Sequence, residues 1–309
     1  FIMIAGLIAV LSFFTGFALS KLSYKNIAKA AAWLLPIISV ALVYFSSAGL
    51  APGLSMLVLI SILFLGMKAV SIVYRYPAKS RLNFLQWTCF ALGWPGMDAI
   101  PFERLGDTKI PNNHLRSGVV FFIVGSALLF LLAYSLQFYE PPVYLLCLIS
   151  FIPFVMIFHL GLFNIIAAFW ATVGVSVVPL MDAPWKASSL SDFWGKRWNI
   201  AFIQMTKIAI FLPLAKHASA GTGLLVAFIA SGIFHEVALT LPVAAGFGLP
   251  LLYFLIQVIL IKIEKLFLKK SNRVLKTIWT FSCLLLPFPL LFHAAFVKAV
   301  FLPFLHELL

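Results

Sequence analysis

The chain has 309 residues, is 63% hydrophobic and only 10% charged, and combines a mean hydropathy of +1.09 with a formal net charge of +13. A chain this apolar is not a water-soluble domain, and apolar runs of roughly 18 to 25 residues without period-two alternation exclude a β-barrel. Nucleic-acid binding does not follow from the charge, because the basic residues fall in short connections between apolar runs, where the positive-inside rule expects them.

The expected fold is therefore all-α: a polytopic transmembrane helical bundle of eight spans, within a range of eight to ten, plus re-entrant or amphipathic helices, in a single domain covering 1–309. In chain order the spans are 1–19, 28–47, 51–74, 117–136, 142–170, 222–241, 247–267 and 276–300. The first run lacks an initiating Met and an A-x-A-like cleavage site, so it is read as a retained span. Lys21, Lys25 and Lys29 mark the first loop as cytoplasmic. Arg75, Lys79, Arg81, Arg104, Lys109 and Arg116 do the same for the third, and Lys262, Lys265, Lys269, Lys270, Arg273 and Lys276 for a later cluster. The nearly uncharged stretch 143–178 crosses once or twice. Two crossings give ten spans if 200–216 also crosses; one crossing leaves 200–216, with Gln204, Lys207 and Pro213, as a short re-entrant or amphipathic element. The eight-span arrangement is the favoured one, because it keeps every strongly basic loop on one side.

Chemistry is sought among polar groups that a membrane makes costly: His159, Asn164, Asn199, Gln204, Lys207, His235, Glu236, Gln257, His293 and Lys298. His235 stands out, with Ser231 and Gly232 one turn earlier leaving room for a ligand or another backbone, and with Glu236 turned about 100° away on a helix. Zinc-protease chemistry fails because Leu239 stands where a second His would be needed, and no phosphate loop or nucleophile elbow is present. Cys89, Cys147 and Cys283 have no metal-like spacing and read as packing residues, so no metal is expected. A buried His without a protein nucleophile suits general-base catalysis on a substrate hydroxyl.

The island Ser189-Leu190-Ser191-Asp192-Phe193-Trp194-Gly195-Lys196-Arg197-Trp198-Asn199, followed by Ser231-Gly232-Ile233-Phe234-His235-Glu236, resembles the membrane-bound O-acyltransferase superfamily. Within it the likeness is to the wax synthase branch. Residues 94–98, Trp-Pro-Gly-Met-Asp, with Pro101 and Phe102, are similar to that branch's upstream loop. The resemblance implies an acyl-CoA-dependent O-acyltransferase in which His235 and Asn199 are catalytic. It implies a lipid or alcohol acceptor, a long-chain alcohol giving a wax ester being favoured, with acyl-CoA as co-substrate and no bound cofactor. Lys196, Arg197 and Lys207 then either meet CoA phosphates or are solvated. Trp194 and Trp198, one helical turn apart, either wall an acyl tunnel or anchor at the interface. Glu236 supports the site, and His293 either lines a tunnel or is a satisfied bundle histidine. The expected location is a multi-pass position in a bacterial inner membrane or the endoplasmic reticulum. A glycan or other small hydroxylated acceptor, and a non-enzymatic transporter or lipid-binding protein, are the competing readings.

Overall fold

A computed structural model describes residues 1–47, 49–268 and 271–308, which form helices joined by turns with no strand among the described residues. The first three helices are α1 (Ile2–Ser20), α2 (Lys25–Ser46) and α3 (Pro52–Arg75). Pro52 opens α3 where a missing N–H costs nothing and its fixed φ suits the first turn. Pro36 lies inside α2 against Gly66 of α3. A Cβ on Gly66 would sit 2.5 Å from the Pro36 Cβ, so glycine is what lets the two helices approach.

Helix α4 (Phe84–Gly93) starts at a capping box, the Asn83 side chain accepting from the Gln86 N–H and the Gln86 side chain accepting from the Asn83 N–H. It buries Trp87 and Phe90 beside α1, where Phe13 meets Trp87 at 5.8 Å. Then come α5 (His114–Ser135), α6 (Val143–Thr172), α7 (Ile200–His217), α8 (Ala220–Val243), α9 (Leu249–Phe267), α10 (Arg273–Leu291) and α11 (Ala294–His306). Eight of these, α1, α2, α3, α5, α6, α7, α8 and α10, are long and apolar enough to cross a membrane. The protein is an integral multi-pass helical bundle.

The membership of the eight differs from the sequence expectation. Helix α6 is one continuous element of 30 residues, so 143–172 is not divided into two crossings as a ten-span chain requires. Helix α7 reaches 18 residues at mean hydropathy 1.2, long enough to cross where the sequence suggested a short broken segment. Pro213 does not break it, because a π-helical turn at Lys207–Phe211 shifts the hydrogen-bond register just ahead of the ring. Helix α9 forms as expected but carries Lys262, Glu264 and Lys265 near its end, and is not among the eight. The last expected span, 276–300, is interrupted. His293 adopts φ −68°, ψ 158°, an extended conformation, and caps α11 instead of continuing α10.

The two loops that charge assigns to one face touch each other. Lys21 Nζ donates to the carbonyls of Ser80 at 2.8 Å and Leu82 at 2.5 Å. Lys269 and Lys270 of the later basic cluster lie outside the described residues.

Candidate functional site

His235 ends the regular α-helical part of α8, and a π-helical turn, Glu236–Thr240, follows it. Its Nδ1–H donates to the Ser231 carbonyl at 2.7 Å. A carbonyl can only accept, so in the neutral imidazole the free lone pair is on Nε2. The Phe254 ring of α9 lies 4.6 Å from the imidazole and fixes its other side. Gly232 is used for backbone approach: a Cβ there would lie 2.8 Å from the Leu251 Cα of α9.

Asn199 caps α7. Its backbone is left-handed, φ 47° and ψ 62°, a conformation that Asn tolerates better than most residues, and its Oδ1 accepts from the Phe202 N–H at 3.2 Å. The amide nitrogen has no hydrogen-bond partner among the described residues and is free to donate.

His235 and Asn199 border one cavity of about 180 Å³, whose walls are otherwise apolar, with Phe64, Met97, Phe202 and Phe234 among them. Its α3 side runs from Ile60 to Met67, which brackets the middle of the 24-residue helix Pro52–Arg75. At 1.5 Å per residue the cavity lies beside the middle of α3, about 18 Å from either end. The walls around both groups are apolar. A hydrogen bond or proton acceptor placed there acts in a low dielectric, where it is stronger than in water.

The other sequence candidates are distributed around this cavity rather than in it. Trp194 and Trp198 do not share a helical face: Trp194 lies in a π-helical turn, Phe193–Arg197, whereas Trp198 is extended at φ −101°, ψ 127°. Trp194 Nε1–H donates to Gln257 Oε1 at 3.2 Å, and its ring meets Phe254 at 5.6 Å. Trp198 stacks on Phe193 at 5.3 Å and on His159 at 6.2 Å. Lys196 and Lys207 are exposed. Arg197 is engaged within its own loop, donating from Nε to Asp192 Oδ2 at 2.7 Å and from a terminal nitrogen to the Asp182 carbonyl at 3.1 Å.

Burial pushes the Asp192 carboxyl upward, but the Arg197 hydrogen bond and the Ser188 N–H outweigh it and hold the group below the usual carboxylate value. A depressed folded value stabilises the loop at pH above the ordinary carboxylate range, and that stabilisation is lost as pH falls through the folded value. Proteolysis of the 182–199 loop is therefore expected to rise at acid pH in the wild type. In Asp192→Asn it is expected to be already high at neutral pH.

Glu236 holds the start of α9. Its Oε1 accepts from the Gly248 and Leu251 N–H groups at 3.1 and 3.0 Å, and Oε2 accepts from Thr240 Oγ1 at 2.8 Å. A carboxylate on a helix N-terminus satisfies orphan donors and complements the dipole. Glu236→Ala is expected to lower the stability of folded protein by about 1–3 kcal/mol, read as a drop in the thermal midpoint, with turnover per folded molecule kept within a few-fold. His293 is 3% exposed; its Nδ1 accepts from the Phe296 N–H at 3.3 Å, its Nε2 has no partner among the described residues, and it does not border the cavity.

Lys68 escaped the sequence reading. It is fully buried, and its Nζ donates to the carbonyls of Phe90 at 2.9 Å, Trp94 at 2.6 Å and Gly96 at 2.5 Å. The signal was available, since Lys68 is a lone cation deep in an apolar run, where charge is costly.

Residues 177–256, which contain both Asn199 and His235, match the model of the membrane bound O-acyl transferase family. A long-chain-alcohol O-fatty-acyltransferase of Simmondsia chinensis is 35% identical over 75 residues, 22% of this chain and 21% of the relative. The probable long-chain-alcohol O-fatty-acyltransferase 3 of Arabidopsis thaliana is 29% identical over 166 residues, 50% of this chain and 44% of the relative. A further Arabidopsis thaliana protein, probable long-chain-alcohol O-fatty-acyltransferase 8, is 26% identical over 139 residues, 42% of this chain and 41% of its own length. Each of these matches spans less than half of the relative.

Proposed function

We propose, from the premise that segment 177–256 belongs to the membrane-bound O-acyltransferase family on its wax synthase-like side, that this protein transfers a fatty acyl group from acyl-CoA to the hydroxyl of a long-chain alcohol. The observation that carries the reading is the cavity, otherwise apolar, that His235 and Asn199 share.

In the proposed reaction the neutral His235 Nε2 removes the alcohol proton as the oxygen attacks the thioester carbonyl. Negative charge develops on the carbonyl oxygen, toward which the Asn199 amide nitrogen donates a hydrogen bond of the oxyanion-hole type. When the intermediate collapses, the C–S bond breaks and the CoA sulfur takes the proton held by His235. The products are an ester and free CoA thiol, and the histidine is again neutral.

The CoA head is polyanionic and belongs at the basic cytoplasmic loops, while its thioester reaches inward. Lys196 is the exposed cation within the motif that is placed to meet its phosphates, whereas Arg197 serves its own loop and Lys207 lies midway along α7. The apolar walls disfavour a glycan. The similar proteins are named long-chain-alcohol O-fatty-acyltransferases, which favours a linear alcohol over a sterol. Purified protein given labelled palmitoyl-CoA with hexadecanol, diacylglycerol or cholesterol tests this. The hexadecyl ester is expected to form at least about 10-fold faster than the sterol ester, a difference of about 1.4 kcal/mol in barrier. Equal rates would reject the assignment of acceptor.

A further inference from the structure

Lys68 and Met97 belong to a polar strap that the proposed chemistry does not use. The loop 94–97 comes from the third, basic connection yet enters the bundle, with Trp94 and Met97 only 3% and 1% exposed. An ammonium has three N–H donors, and the three carbonyls that meet Lys68 Nζ match them one for one. The same nitrogen lies 3.9 Å from the centre of the Phe90 ring, a cation–π contact. One turn further along α3, Ser71 Oγ donates to the Met97 carbonyl. The Met97 N–H donates to Gln204 Oε1 at 3.2 Å, on the helix that Asn199 caps.

Met97 is thus held by its backbone from two sides, by Ser71 of α3 and Gln204 of α7, and it borders the cavity shared by His235 and Asn199. With the N–H and C=O both engaged, its thioether side chain is the part left to form the wall. We infer that Met97 is a specificity-determining residue that sets the width of the cavity and excludes branched substrates, and that Lys68 is the positioning residue that holds it there. The inference rests on the acyl-transfer reading for its substrate class. Its geometry does not depend on which group supplies the proton transfer.

The test compares 1-undecanol with its isomer 2-methyl-1-decanol, which differs only in placing one methyl beside the reacting end. Because kcat/KM for both is measured on one preparation, their ratio is independent of the fraction folded. Met97→Ala removes three heavy atoms without touching the backbone hydrogen bonds. It is expected to raise the branched-to-linear ratio by about 4-fold or more, the value of one newly buried methylene at about 0.8 kcal/mol. Met97→Phe is expected to lower it. Lys68→Met leaves three carbonyls without their donor and is expected to blur the ratio toward unity; if it yields no folded protein, the Met97 pair decides.

Binding of the same two alcohols, read as the concentration dependence of the thermal midpoint, repeats the comparison without turnover. Wild-type protein that binds the linear alcohol more tightly but transfers no acyl group would reject the proposed activity and keep the wall. Unchanged ratios in both Met97 variants, by turnover and by binding, would overturn the inference while leaving the activity in place.

Discussion

His235→Ala is expected to lower kcat by about 10²- to 10⁴-fold, the usual contribution of a positioned general base, while the KM for acyl-CoA changes little. The argument is geometric. Nδ1 is committed to the Ser231 carbonyl, so the imidazole presents a single lone pair, on Nε2, and the residue borders a cavity that Asn199 also borders. Loss of the side chain leaves the Ser231 carbonyl in a helical turn and removes one contact with Phe254, so the fold is expected to survive. The check is turnover per folded molecule, with the thermal midpoint measured on the same sample. Turnover within a factor of three of wild type would remove His235 from the chemistry.

Asn199 separates two roles that a single alanine substitution would merge. Its oxygen caps α7 and its nitrogen is unengaged. Asn199→Ala is expected to lose both, costing about 1 kcal/mol of stability and about 10²- to 10³-fold in kcat. Asn199→Asp keeps the capping oxygen and tolerates the left-handed backbone, yet replaces a donor with an anion facing the developing negative charge. It is expected to fold as well as wild type and to be at least as inactive as the alanine variant. An aspartate variant with full turnover would show that the amide donates nothing to the transition state.

The parts of this protein that the sequence made legible are those where polarity and hydrophobicity conflict. His235 was conspicuous because it interrupts an oily stretch and Asn199 because it ends a charged island within one. Most of the long helices could be read from apolar runs of the right length, though α4, α7 and the division between α10 and α11 could not. Lys68 lies in such a run too, but it was grouped with a basic chain whose cations all seemed to belong to loops. The inward path of residues 94–97 is a consequence of long-range hydrogen bonds to α3 and α7, which no local pattern encodes.

Other differences come from π-helical turns. A π turn inserts a residue without altering composition, so nothing in the sequence marked that α7 would run on past Pro213 or that Trp194 and Trp198 would leave a common face. The break at His293 is of a similar kind. Its Nδ1 accepts the Phe296 N–H and starts a new helix within a run that hydropathy alone reads as continuous.

The central claim is that the cavity joining His235 and Asn199 performs alcohol-dependent thioester cleavage. Purified protein in lipid nanodiscs, supplied with palmitoyl-CoA, should release CoA thiol only after hexadecanol is added, with one molecule of ester formed per thiol, and His235→Ala should abolish both signals together. Thiol release that ignores the alcohol, or ester formation that persists in His235→Ala at the wild-type rate, would contradict it.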